Sequence, residues 1–301
     1  MGPSQHRLAL ALLWVTPAIW SSNYIIARAA SGVVSPHTLA LGRWLLVFLL
    51  LLPFVWTDRA SIHAAWKTEW RRMLILGGLG MWVCGAFVYI GAQGTSATNI
   101  GLIYAATPVG IALMSKWVLK ESSSGAQQAS LAMALLGVLV VIGQGNPLNL
   151  LLVRFAWGDI WILVAAVSWV AYTVLQQRWP SELSSQSRLW CITLGGLVVL
   201  FPFTLLEYFL VPPPPLSAKA IILVALAGIL PGFLSYQAYT LMVRELGASK
   251  AGVVMYLSPI YAAFTAWWFL NEAPQWFHAL GASLILPSVY IATTKRSSHE
   301  H

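Results

Sequence analysis

Apolar residues run along this chain in stretches of about twenty, broken by short clusters of polar and basic residues. A helix of about 20 apolar residues crosses the hydrocarbon core of a bilayer, because each residue rises about 1.5 Å. The pattern predicts ten such spans, near 9–28, 36–56, 72–93, 98–118, 126–144, 158–177, 187–210, 219–243, 250–269 and 276–294. Membrane-crossing strands would alternate apolar and polar positions over about 10 residues, and these runs do not. Long interruptions are expected at Thr57–Arg71 and Gln144–Trp157, and Pro212–Pro215 reads as a stiff loop, because proline fixes φ and lacks an N–H. The expected fold is an all-α integral membrane protein.

Two of the runs are copies of each other. Ala97 to Glu121 reads ATNIGLIYAATPVGIALMSKWVLKE, and Ala248 to Glu272 reads ASKAGVVMYLSPIYAAFTAWWFLNE. Without a gap they share Ala97/Ala248, Gly101/Gly252, Pro108/Pro259, Ala112/Ala263, Trp117/Trp268, Leu119/Leu270 and Glu121/Glu272, with Thr107/Ser258 a near match. Scattered Leu and Ala match by chance; a mid-span proline, a terminal tryptophan and a closing glutamate in one register point to an internal repeat. The copies are spans four and nine. An odd number of passes separates them, so they cross in opposite senses. The chain therefore divides into two inverted five-helix halves, 1–145 and 156–301, with 146–155 as linker. Inverted repeats with a midplane site between them characterise secondary transporters.

Composition sharpens this picture. Mean hydropathy is +0.74 and charged residues are 9% of the chain, against about 25% in soluble domains. The net charge of +8 fits cytoplasmic loops rich in Lys and Arg better than nucleic acid. With the N-terminus in the cytoplasm, the inner side holds Arg7, Arg59, Lys67, Arg71, Arg72, Lys116, Lys120, Arg178, Arg188, Arg244, Lys250, Lys295 and Arg296. The outer side holds Arg28, Arg154 and Lys219, which gives an N-in, C-in topology. The first apolar run, interrupted by Pro17, Trp20, Asn23 and Tyr24, reads as a retained span in a multi-pass inner-membrane protein. Cys84 and Cys191 lie in apolar runs and form no metal-ligand spacing.

Trp20 with Asn23, Pro36 with Arg43, Ala97…Pro108…Glu121 and Ala248…Pro259…Glu272 give the chain its resemblance to the drug/metabolite transporter superfamily, in the ten-span EamA-type branch. Within it the aromatic-rich chain looks like the bacterial aromatic amino acid exporters. The resemblance implies a small-molecule substrate, lipid as the surrounding partner, no nucleic acid, no cofactor, and a monomer with a dimer left open.

The residues themselves suggest where a substrate would sit. Trp20, Asn23 and Tyr24 share one helix face, and Trp169, Tyr172, Thr173 and Gln176 repeat the spacing in span six. Spans three and eight add Trp82, Tyr89, Tyr236 and Tyr239. Tyr104 and Tyr256 each precede a proline of the repeat, Pro108 or Pro259, which frees a backbone carbonyl. Small-ligand sites are mostly apolar with a few placed polar groups, and polar groups between spans also serve as packing glue. Arg43 stands inside span two, either snorkelling to the surface or meeting a substrate carboxylate. Pro108, Pro231 and Pro259 are the expected kinks. No Asp or Glu falls mid-span and no Walker A pattern occurs, which leaves export down a gradient or a coupling group elsewhere. The alternatives are a multidrug or other-metabolite exporter, an intramembrane enzyme built on Gly281-Ala-Ser283 with His278, and a structural subunit.

Overall fold

In hydrocarbon every backbone N–H and C=O must be satisfied within the protein, so apolar runs of this length fold as helices. The computed structural model describes residues 3–95, 97–121, 124–154, 156–258, 260–261 and 275–294. Among them there are helices and no strands. The order is α1 (Pro3–Ala30), α2 (Pro36–Val55), α3 (Arg59–Gly77), a π-helical segment (Gly78–Val83), α4 (Cys84–Gly91), α5 (Ala97–Ala105), α6 (Thr107–Val118) and α7 (Gly125–Ile142). It continues with α8 (Pro147–Leu151), α9 (Trp157–Arg178), α10 (Ser185–Leu210), α11 (Ala218–Ala227) and a second π segment (Gly228–Leu234). Then come α12 (Ser235–Leu246), α13 (Ala248–Gly252), a 3₁₀ turn (Val253–Leu257) and α14 (Trp276–Thr294). Pro259 and the copied residues 262–272 lie outside the described residues.

Among the described residues seven helical stretches are long and apolar enough to cross a membrane, and Trp276–Ile291 is a shorter apolar helix. One of the seven, Pro36–Gly91, is 56 residues long. It folds back at the Trp56–Asp58 turn, which brings α4 against α2. The expected interruption at Thr57–Arg71 is mostly helix: α3 starts at Arg59 and carries exposed Arg59, Lys67 and Arg71 before its apolar part. Charge lowers the hydropathy there, but Ala, Glu, Lys and Arg are good helix formers. The helix projects beyond its apolar part. Likewise α8 occupies part of the stretch expected as a linker loop.

The helices pair reciprocally. α2 lies against α11 and the second π segment, while α10 lies against α3 and the first. α1 packs on α12, and α9 on α4. α7 and α14 pack on each other. Without a hydrophobic force between helices in lipid, such contacts rest on close packing of small residues. The tightest crossing joins α3 and α10: a Cβ built on Gly77 would stand 2.1 Å from the backbone nitrogen of Gly196. Only glycine allows that approach.

The two π segments start at Gly78 and Gly228 and each follows an α-helix without a break. Each shifts the i→i−4 ladder by one residue, a device frequent at functional sites. The carbonyls so displaced are taken by buried side chains. Ser168 Oγ donates to Leu79 O at 2.9 Å and Tyr236 Oη to Gly80 O at 3.1 Å. Arg43 Nη2 donates to Pro231 O at 3.0 Å. Pro108 breaks its span between α5 and α6 at Ala106, and the Thr107 hydroxyl bonds Tyr104 O at 2.7 Å. The hydroxyl thus gives a partner to the carbonyl that the proline leaves without an N–H.

Candidate functional site

Helices α1, α2, α4, α5, α9 and α12 meet the 3₁₀ turn around a small central pocket. Its walls are Trp20, Asn23, Arg43, Cys84, Val88, Tyr104, Trp169, Tyr236, Met255 and Ser258. The aromatic side is dense. Trp20 stands edge-on to Trp169 with centroids 5.0 Å apart and lies 5.2 Å from Tyr239. Trp169 and Tyr239 are 4.7 Å apart, and Trp44 meets Tyr236 edge-on at 4.7 Å. Edge-to-face pairs of this kind suit the ring quadrupoles. Tyr239 Oη is bonded to Thr173 Oγ1 at 3.0 Å. Tyr172 is fully buried beside Trp169, one layer behind the pocket, with its hydroxyl unpartnered.

The polar side centres on Arg43. It is 3% exposed, so its long side chain does not snorkel. Nη1 donates to Tyr89 Oη at 3.1 Å and, at 3.4 Å, to Asn23 Oδ1. Tyr89 Oη donates to the same Asn23 oxygen at 3.0 Å. The guanidinium lies 4.6 Å from the centre of the Trp44 ring. Its Nε–H has no partner.

The pocket measures about 40 Å³. That holds one or a few waters, whereas small-ligand pockets are roughly 300–1,000 Å³. The conformation is closed around its centre, and both ends of the bundle are tied. Where α9 begins, buried Asp159 accepts from Thr95 Oγ1, from Asn99 Nδ2 at 2.7 Å and from Ala156 N at 2.6 Å. Where α9 ends, Glu121 accepts from Gln177 Nε2 at 2.6 Å and from Ser249 Oγ at 3.0 Å. Gln177 Oε1 in turn accepts from Ala248 N. At that same end a wider vestibule of about 740 Å³ runs between Leu8, Leu12, Asp58, Glu182, Gln237 and Arg244.

Of the residues singled out from sequence, Trp20, Asn23, Arg43, Tyr104, Trp169 and Tyr236 line the pocket, and Tyr89, Tyr172 and Tyr239 stand directly behind it. Trp82 is elsewhere, stacked on Phe203 at 3.8 Å. Tyr256 is buried in a satellite core with Leu131, Val138 and Ile285. The side chain of Tyr24 lies outside the described residues. Sequence reasoning passed over Cys84, Val88, Met255 and Ser258. Ser258 carried a usable signal, since it aligns with Thr107 in the repeat; Val88 and Met255 are apolar residues with none. Among the described residues no group of His, Cys, Asp and Glu is placed to hold a metal ion.

Many apolar helices long enough to cross a bilayer, meeting around a buried aromatic and cationic pocket, define a multi-pass membrane protein. The chain belongs to the EamA-like transporter family, which it matches twice, over residues 7–143 and 156–294. It is 25% identical over 293 residues to an uncharacterized transporter of Archaeoglobus fulgidus, covering 97% of this chain and 99% of that one. It is 20% identical over 274 residues to the S-adenosylmethionine/S-adenosylhomocysteine transporter of Chlamydia muridarum, covering 88% and 85%. A crystal structure superposes with a TM-score of 0.73 at 19% identity, covering 95% of this chain and 97% of the other, which shows the shared fold. The protein is thus a multi-pass transporter of the plasma membrane and not an enzyme.

Proposed function

We propose that the protein exports small amphipathic metabolites, aromatic and other neutral amino acids first among them, out of the cytoplasm. The observation that carries this reading is the central pocket, whose wall combines the rings of Trp20, Trp169 and Tyr236, backed by Tyr239, with the hydrogen-bonding groups of Asn23 and Arg43. An aromatic side chain would stack on the first set and the zwitterion would meet the second. Tyr104 would border the same solute, with Tyr89 and Tyr172 as the layer that holds the wall in place.

The route would be alternating access between two inverted five-helix halves, 1–145 and 156–301, with both termini in the cytoplasm. The reciprocal packing of α2 and α10, the paired π segments and the two family matches all support that reading. Because the pocket is closed, admission of an amino acid requires the helices around it to separate, with the π segments as the compliant points. The ligands in the name of the chlamydial relative join an aromatic ring system to an α-amino acid group, which is the same chemistry on a larger scale. They are therefore a second substrate class for the same pocket, within a broader metabolite-exporter reading.

Uptake of labelled phenylalanine, threonine, lysine and S-adenosylmethionine into proteoliposomes tests this against protein-free vesicles. Saturable phenylalanine flux, lost in Trp169→Ala and partly kept in Trp169→Phe, is the expected result. Absence of amino acid flux from monodisperse, folded protein overturns the substrate assignment.

A further inference from the structure

Arg43 is a buried cation whose counter-anion is absent from the described protein. Among the described residues no carboxylate lies within 4.0 Å of it: the close ion pairs are His37–Glu207, Arg72–Glu69 and Arg244–Glu245. Its bonds go to neutral acceptors, the Asn23 amide oxygen, the Tyr89 hydroxyl and the Pro231 carbonyl. The Trp44 and Tyr236 rings add their faces, at 4.6 and 5.7 Å, and cation–π contacts are worth little beside a full opposite charge. A buried charge is costly unless it is paired. The Nε–H, moreover, is left without any acceptor. The residue lines the pocket, and no protein group in the pocket wall is acidic.

We infer that Arg43 is the charge-selecting residue of the central site, and that the carboxylate of the transported solute is the missing anion. This rests on the substrate reading above and narrows it: the site requires a carboxylate and does not require an ammonium. A carboxylate adds a full opposite charge and can accept two parallel N–H bonds from the planar guanidinium, where the present acceptors are neutral. It would take the unpartnered Nε–H and compete with Asn23, Tyr89 or Pro231 for the rest of the guanidinium as it binds. Arg43 holds the carbonyl of Pro231 in the second π segment, so filling the site would also loosen the bond between α2 and that segment. An aromatic amine without a carboxylate would bring a second positive charge against the first.

The test uses purified full-length protein and a panel of phenylalanine, 3-phenylpropionate, phenylalaninamide and phenethylamine. Binding is read from the ligand-induced rise in Tm in detergent, and transport by competition with labelled phenylalanine. The expected order places phenylalanine and 3-phenylpropionate together, with the amide and the amine binding roughly 10- to 100-fold more weakly. Arg43→Gln should abolish the distinction. Arg43→Lys should keep part of it, since lysine retains charge but not the planar fork. If Arg43→Gln does not fold, the wild-type panel alone decides. Equal binding of phenethylamine and phenylalanine overturns the inference, as does the absence of any carboxylate binding. Chloride competing with the carboxylates would assign the site to a free inorganic anion and also overturn it. Arg43-dependent binding of 3-phenylpropionate without phenylalanine transport would strike the amino acid assignment alone and leave the carboxylate requirement standing.

Discussion

At the residue scale the balance is between buried polar groups that found partners and those that did not. Tyr236, in α12, bonds the Gly80 carbonyl of the first π segment. Tyr236→Phe leaves that carbonyl unpaired in a dry site, at a cost of about 1–3 kcal/mol. The expected result is a lower Tm in detergent, measured by nano-scale fluorimetry, with aromatic stacking kept. Asp159 accepts three bonds where α9 begins, so Asp159→Ala should destabilise by more than Tyr236→Phe in the same assay. Much of the pocket was legible in single residues, because Trp20, Asn23, Trp169 and Tyr236 are polar or amphipathic residues stranded in apolar runs. Trp82 carried the same signal for a different reason. It stacks on Phe203, and no feature of its own span separates a packing tryptophan from a wall tryptophan.

At the element scale the π segments and the glycine crossing stand out. Gly77 touches the backbone of Gly195 and Gly196, and any Cβ there forces α3 and α10 apart. Gly77→Val is expected to abolish the monodisperse peak in fluorescence-detected size-exclusion chromatography, whereas Gly125→Val, at a site with open space around it, is expected to keep it. Pro231 lies inside the second π segment. Pro231→Ala restores an N–H to that segment and lowers the barrier to a regular α ladder, which would withdraw the carbonyl that Arg43 holds. Slower phenylalanine flux together with a lower Tm is the expected outcome. The prolines announce such breaks in sequence. Gly78–Val83 contains no proline, so the matching π segment was visible only once the helices were packed.

At the scale of the whole molecule the protein is closed about its centre and tied at both ends of α9. Glu121 holds α6, α9 and α13 together through Gln177 and Ser249. Its loss should shift the population toward states open at that end. Cys84 lines the pocket and Cys191 is buried, so Cys84 is a native reporter in a Cys191→Ser background. Maleimide labelling should be slow in that background and roughly tenfold or more faster with Glu121→Ala, since two bonds to a charged group are removed. An unchanged rate would locate the restraint elsewhere.

The sequence by itself determined the solvent and the elements. A chain with 9% charged residues has only lipid to face, and in lipid the backbone can satisfy itself only as helix. Its repeat led to the expectation of two related halves. What only the tertiary structure decided is which of the stranded polar residues meet. Helix periodicity fixes the face a residue shares with its neighbours along the chain, but not the distance between helices. Arg43, Asn23 and Tyr89 come from three spans, and the Pro231 carbonyl from a fourth. That distance is set by close approach at glycines such as Gly232 against Val47 and Gly85 against Trp44, and by ladder shifts that aim a carbonyl sideways. These are properties of pairs of elements, and no single run of sequence contains them.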